Sequence, residues 1–231
     1  MLPADAGPLV LGAVLGAVIG AATAVVQPHL GLPWSALVNS ASPWLLGGFA
    51  AGALAGRRGP AVGAGLLACL VEVSAYYSTA TAMSLPVDHG LTAFWLACAL
   101  VGGTVAGLAG WAWRRGTGRV RAYGAAFPGG TFIAEAVGAY GLRLHYHPAV
   151  AMFLIIGVAL LALLIRNAPW PGILAWTAVF VVAGALVYGP LLNAVVGANS
   201  GGVSFGPLGQ LVRQARRGGR RSRRAGSAHR Q

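Results

Sequence analysis

Two glutamates lie within long apolar stretches, where an acidic side chain is costly to place. Glu72 stands within residues 66–80 and Glu135 within residues 129–141, and a tyrosine follows each at the same separation, as Tyr77 and Tyr140. A charged side chain near the centre of a bilayer costs about 2.5–3.5 kcal/mol on insertion scales, so such residues usually face a protein interior. We therefore expect both carboxyls to be buried inside a helical bundle.

The two carboxyls could form one proton- or cation-linked site. Counted from the nearest arginine turns at 1.5 Å per residue, each lies about 18–20 Å along its helix, and neither stretch contains an arginine to pair with it. A lone buried carboxyl becomes neutral or binds a cation. Glu72, Glu135, Tyr77 and Tyr140 are thus the predicted ion- or substrate-binding residues. The alternative is that both carboxyls are protonated and hydrogen-bonded to a nearby hydroxyl or carbonyl, and only fix helix packing.

A second set of polar residues could bind a transition metal. His145 and His147 flank Tyr146, so an extended backbone would place both imidazoles on one side. His89 and the adjacent Asp88 fall at the same predicted face of the protein, and imidazole and carboxylate groups are usual zinc ligands. The alternative is that these side chains lie at a membrane interface with their polar tips in the headgroup zone.

The composition predicts a membrane environment for the whole chain. Of 231 residues, 57% are hydrophobic and only 9% are charged, whereas a soluble domain has about 25% charged residues. Long apolar runs without the alternation of barrel strands favour helices. The sequence predicts an all-α polytopic transmembrane bundle of seven or eight spans within residues 1–212. The predicted spans are residues 8–26, 43–56, 61–83, 91–113, 122–142, 149–165 and 172–188, with residues 190–212 as a possible eighth crossing.

The predicted spans suggest a direct repeat of helix hairpins. Each hairpin has a descending span, an arginine turn and an ascending span that ends in tyrosine. The three hairpins cover residues 44–77, 95–140 and about 153–188. Because all three have the same orientation, the repeat is direct rather than inverted, unlike many transporter folds.

Small residues form a ladder in the first predicted span. Gly12, Gly16 and Gly20 recur every fourth position, so they share one stripe of a helix, and such stripes allow a second helix to approach closely. By analogy with modular importers, this stripe is a predicted docking surface for a membrane partner subunit.

Arginine placement predicts the orientation of the bundle. Arg57 and Arg58 follow the second span, and Arg114 and Arg115 follow the fourth, and the positive-inside rule places such turns in the cytoplasm. The N-terminus is then cytoplasmic, in a multi-pass protein of the cell membrane. The tail, residues 213–231, carries eight arginines and is expected on the same side, which requires the eighth crossing.

The tail itself is predicted to be disordered. It lacks a periodic apolar face and is rich in glycine, serine and arginine. Each arginine near an anionic leaflet gains about 1 kcal/mol, so we expect the tail to bind anionic lipid headgroups. No aromatic residues are interleaved with its charges, so the sequence does not predict specific nucleic-acid binding.

Two motifs resemble a known family. They are Asn-Ser-Ala-Ser-Pro-Trp at residues 39–44, followed by the small-residue span 47–56, and Phe-Ile-Ala-Glu at residues 132–135. Over about residues 10–189 the sequence resembles an uncharacterised, largely actinobacterial family of multi-pass membrane proteins classed as a domain of unknown function. The resemblance implies a bacterial membrane protein and brings no activity, substrate or catalytic residue.

Two classes of function remain after these observations. The sequence has no nucleotide-binding, zinc-protease or nucleophile-elbow motif, so we expect neither an enzyme nor a cofactor. The first class is a permease-like or small-solute- or ion-binding membrane protein with a carboxylate site at mid-depth. The second is a structural or regulatory membrane protein without transport activity.

Overall fold

The computed structural model describes residues 6–165 and 168–198, with side chains described as far as residue 188. Eight α-helices occur in these residues, together with one turn of 3-10 helix, Gln27–His29, and a π-helical turn, Ala136–Gly141. The α-helices are α1 Ala6–Val26, α2 Trp34–Val38, α3 Ala41–Leu54, α4 Arg58–Ala82, α5 His89–Arg115, α6 Gly118–Glu135, α7 His147–Leu164 and α8 Trp170–Ala198.

The predicted all-helical class is confirmed, and the described residues contain no β-strand. Five helices, α1, α4, α5, α7 and α8, are long and apolar enough to cross a membrane. The predicted second span is the shorter apolar helix α3, and the predicted fifth span is α6 continued by the π-helical turn. The possible eighth crossing at residues 190–212 is not a separate element as far as Ala198, because α8 continues through that residue. Residues 199–212 and the predicted tail lie outside the described residues.

The glycine ladder of α1 packs on α4 within the same chain. A Cβ added at Gly12 would lie 2.6 Å from the carbonyl oxygen of Ala64, and one added at Gly16 or Gly20 would overlap the carbonyl oxygen of Ala68 or Glu72. The predicted docking of this stripe to a partner subunit is therefore corrected. The stripe is buried against α4, because only glycine permits such close backbone approach.

The order of these contacts fixes the relative direction of the helices. Contacts from Gly12 to Gly20 advance along α4 in the same direction, so α1 and α4 run parallel. Helix α3 runs antiparallel to α4, because Gly47 lies beside Glu72 and Gly48 beside Gly65. The beginning of α1 thus lies at the end of the bundle that carries Arg57 and Arg58, which we call the arginine end.

The expected hairpin repeat is only partly reproduced. Helices α3 and α4 pack together, as do α5 and α6, but α7 and α8 both pack mainly on α6. On one side of α6, Gly129 lies against Gly157 of α7; on the other, the ring of Phe127 is 5.6 Å from that of Phe180 of α8. The third hairpin therefore differs from the first two, because α6 separates its helices.

Candidate functional site

Glu135 caps the N-terminus of α3 from a different helix. Its carboxylate accepts hydrogen bonds from the backbone N–H groups of Ala41, at 3.2 Å, and Ser42, at 3.0 Å. The Ser42 hydroxyl donates a further bond of 2.6 Å to the same carboxylate. Helix N-termini present backbone N–H groups without partners in the helix, and the helix dipole favours negative charge there. Glu135 therefore satisfies the first turn of α3, where the preceding residue, Ser40, makes no side-chain cap bond of its own.

Tyr140 belongs to the same cluster. Its hydroxyl lies 2.6 Å from the hydroxyl of Ser40 and donates to the carbonyl oxygen of Ala36 at 3.2 Å. The π-helical turn that follows Glu135 explains this arrangement, because its hydrogen bonds join residues five apart. Residues with that separation then face nearly the same direction. Glu135 and Tyr140 thus both reach the junction between α2 and α3, each through partners of its own. That the two residues bind an ion or substrate stays a prediction.

Glu72 is buried without a partner. Its exposed fraction is 0%, and neither carboxyl oxygen has a hydrogen-bond partner among the described residues. The carboxyl points towards α3, where a Cβ added at Gly47 would lie 3.4 Å from Oε2. A buried polar group left unpaired costs about 1–3 kcal/mol, more if it is charged. Among the described residues, no hydrogen bond thus offsets the free-energy cost of burying the Glu72 carboxyl.

The predicted partner of Glu72 is replaced by its neighbour. Five residues in an α-helix turn the chain by about 140° beyond a full turn, so Tyr77 lies on a different face from Glu72. Like Trp95, it packs against the buried cluster that contains Val73. Tyr76, four residues after Glu72, shares the Glu72 face. Its hydroxyl donates a 2.6 Å bond to the side-chain oxygen of Gln27, where α1 ends.

Tyr76 begins a short chain of polar side chains. The amide of Gln27 donates to the side-chain oxygen of Asn39 at 2.9 Å, and the Asn39 amide donates to the carbonyl oxygen of Ser35 at 2.7 Å. This chain runs from α4 through the end of α1 to the α2–α3 segment. Sequence reasoning did not select Tyr76, Gln27 or Asn39 for a site, although helical periodicity alone places Tyr76 on the Glu72 face.

The sequence analysis also did not select the two serines that lie in the cluster of Glu135 and Tyr140. Ser40 and Ser42 fall inside the Asn-Ser-Ala-Ser-Pro-Trp motif, and Glu135 ends the Phe-Ile-Ala-Glu motif. The structure brings these two motifs together through the bonds described above. The Ser-Pro step at residues 42–43 could have predicted a helix start at these serines, because serine and proline are favoured near helix starts.

The candidate metal ligands are not assembled into a larger group. The described residues contain no set of three or more His, Cys, Asp or Glu side chains that could hold a metal ion. Asp88 instead caps α5, accepting a 2.8 Å bond from the backbone N–H of Leu91. His89 begins the same helix, whereas His145 and His147 stand at the start of α7, where His145 has a positive φ of 50°. Binding of a metal by the His145–His147 pair stays a prediction.

Comparison with known proteins identifies a family for the chain. Residues 3–195 match a family described as a family of unknown function, DUF6518. The chain belongs to this family. The match confirms the expected resemblance to a family of unknown function and covers every helix of the site. No curated protein and no solved structure matches the sequence.

Proposed function

We propose that this DUF6518 member is a multi-pass membrane protein with its arginine end in the cytoplasm. The five long apolar helices support insertion, and α1 and α8 expose apolar side chains such as Val18, 61% exposed, and Leu186, 72% exposed. In a membrane, lipid would shield these exposed apolar side chains from water, as a protein core does in other proteins. Orientation rests on the positive-inside rule, and it places the N-terminus and the arginine-rich tail in the cytoplasm of a cell.

The arginine end collects charges from two separate turns. The guanidinium of Arg58, at the start of α4, lies 4.7 Å from the centre of the Trp111 ring near the end of α5. Arg57, Arg114 and Arg115 are exposed beside it. All described acids lie elsewhere in the chain, at Glu72, Asp88 and Glu135. A surface of exposed guanidinium groups suits the anionic cytoplasmic leaflet.

We propose further that the protein is permease-like and binds a proton or a small cation at Glu72. The single observation that carries this proposal is the complete burial of a carboxyl without a hydrogen-bond partner among the described residues. Ionisable residues at such positions in membrane proteins usually mark ion or substrate pathways. The role of Glu135 is different, since its carboxylate is already satisfied by α3.

Flux measurements on reconstituted protein test this proposal. We expect the full chain in vesicles to carry a proton or monovalent-cation flux, reported by entrapped dyes, and Glu72→Gln to abolish it. The control is Ser74→Ala, on the same helix, because the Ser74 hydroxyl is exposed and bonds only its own helix backbone. Absence of flux in the wild-type protein, or full flux in Glu72→Gln, would refute the proposal.

A structural or regulatory role is the second candidate, and the cap of α3 by Glu135 favours it. A buried carboxylate that joins α6 to the start of α3 is a packing device that needs no ligand. This candidate is adopted if wild-type vesicles show no flux while Glu135→Gln lowers the melting temperature of the protein.

A further inference from the structure

We infer that, in the described conformation, Glu72 exchanges its proton or cation with only one end of the bundle, through Tyr76, Gln27 and Asn39. Flux across the membrane then requires a second conformation that is open to the arginine end. This inference rests on the proposed function and names the route to the same site. The end concerned is opposite the arginine end, where α1 stops and the 3-10 turn begins.

On the arginine side, Glu72 is sealed by backbone packing. Gly12 and Gly16 of α1 press against the carbonyl groups of Ala64 and Ala68, the two turns of α4 that precede Glu72. From α3, a Cβ added at Gly48 would meet the Cys69 sulfur at 3.0 Å and the Gly65 carbonyl oxygen at 3.2 Å. Backbone contacts this close leave no room for water on the arginine side of Glu72 in the described conformation.

On the opposite side, the neighbours of Glu72 are polar. Tyr76 lies one turn further along the same face, and its ring packs against Trp44 with centroids 5.4 Å apart. Beyond this aromatic pair follow the side-chain amides of Gln27 and Asn39, joined by the hydrogen bonds given above. The Trp44 indole is held by a 3.2 Å bond from its N–H to the carbonyl oxygen of Val38. Gly20 keeps the backbones of α1 and α4 in equally close contact beside Glu72 and Tyr76. What changes at Glu72 is the type of side chain, from small residues on the arginine side to hydroxyl and amide groups on the opposite side.

The chemistry of this route limits what can pass. Its side chains offer a hydroxyl and two amides but no fixed charge, and such groups can carry a proton or replace part of the hydration shell of a small cation. Among the described residues of α1 and α3, no titratable side chain faces Glu72. On α4 itself, Cys69 and Tyr76 are the titratable neighbours. An anion or a large solute finds no complementary group here.

Side-specific labelling of Glu72 tests the inference. Membrane vesicles of both orientations, containing the full chain, are treated from outside with a water-soluble carbodiimide and an amine, and Glu72 modification is followed by peptide mass spectrometry. Tryptic cleavage at the exposed Arg57 identifies vesicles whose arginine end faces outward. We expect modification at least about tenfold faster when the opposite end faces outward, which corresponds to a difference of about 1.4 kcal/mol.

Tyr76→Phe and its neighbour Tyr77→Phe form a matched pair. Removal of the Tyr76 hydroxyl breaks the bond to Gln27, and we expect Glu72 labelling and flux to slow about two- to tenfold, the range that one net hydrogen bond gives. Tyr77→Phe should change neither rate, because Tyr77 faces away from Glu72. Gln27→Leu is the second variant and should slow both rates as Tyr76→Phe does.

The outcomes separate the inference from the proposed function. Equal labelling from both ends, or equal slowing by Tyr76→Phe and Tyr77→Phe, overturns the inference. Flux with faster labelling from the arginine end also overturns it, while leaving Glu72 as the site. One-sided labelling in a protein that carries no flux supports the route and overturns the proposed function.

Discussion

Glu72 and Glu135 hold matching positions in the sequence but have opposite surroundings. Glu135 accepts three hydrogen bonds from the start of α3, whereas the Glu72 carboxyl has no partner among the described residues. Both reach α3, at Ser42 and Gly47, which lie about 7.5 Å apart along the helix axis. Two buried acids with matching sequence surroundings can thus differ entirely in role, according to what the facing helix offers.

The largest expected effect is on the satisfied acid. Glu135→Leu removes the acceptor for the N–H groups of Ala41 and Ser42 and for the Ser42 hydroxyl, and it leaves buried donors unpaired. We expect a loss of about 2–5 kcal/mol in the free energy of unfolding, from the penalty for unsatisfied buried groups. Unfolding of the purified protein in detergent measures it, and Glu135→Gln, which keeps one acceptor oxygen, should lose less. A loss below that of an exposed-site variant such as Ser74→Ala would contradict the cap.

A smaller effect is expected from one donor of the same cluster. Ser42→Ala keeps the backbone N–H bond to Glu135 but removes the 2.6 Å hydroxyl bond. Hydrogen bonds to a charged group contribute about 1.5–3 kcal/mol, so the stability loss should fall in that range. The double variant with Glu135→Leu should lose little more than Glu135→Leu alone, because both changes remove the same bond. Additive losses in this double-mutant cycle would show that Ser42 acts elsewhere.

The sequence predicted much of the fold, since helix positions follow from apolar length alone. It could not predict that the helix continues past Tyr188 to Ala198, because Pro190 is a usual helix breaker. Tyr140 reaches the same junction as Glu135 because of the π-helical turn after Glu135, which the sequence does not display. Tyr77 follows Glu72 at the same offset but does not share its helix face, because α4 is a regular α-helix there and five residues exceed one turn by about 140°.

Tertiary contacts were the part the sequence could not supply. The glycine ladder predicted a close helix contact, but the spacing of Gly12, Gly16 and Gly20 does not indicate whether the second helix belongs to the same chain. Likewise, the motif around Ser42 signals a helix start, while the acceptor that satisfies it comes from residue 135, far along the chain. Long-range partners of this kind leave no local pattern.

A hydrogen-bond donor placed opposite Glu72 would give its carboxyl the partner it lacks. A Cβ added at Gly47 would lie 3.4 Å from Glu72 Oε2 and 3.2 Å from the end of the Ile19 side chain, so a serine fits after a small movement of Ile19. Relative to Gly47→Ala, which adds the Cβ without a donor, Gly47→Ser should stabilise the protein by about 0.5–1.5 kcal/mol through one new hydrogen bond. It should also slow flux, since the carboxyl then has a competing partner. Equal stabilities of the two variants would show that Glu72 does not face α3 as described.

The smallest expected effect is that of Glu72→Leu, although the corresponding change at Glu135 is expected to be the most damaging. In Glu72→Leu the removed carboxyl has no hydrogen bond among the described residues to lose, and an apolar side chain of similar length fills a site lined by Gly47 and Ile19. Replacing an unsatisfied buried polar group by an apolar one is nearly neutral or stabilising, so the free energy of unfolding should change by less than about 1 kcal/mol. The same detergent unfolding measurement then gives a near-zero value at Glu72 and a large loss at Glu135. A loss at Glu72 as large as that at Glu135 would mean that hydrogen bonds to Glu72 also contribute to folding. The buried acid would then be explained by its contribution to stability rather than by a ligand.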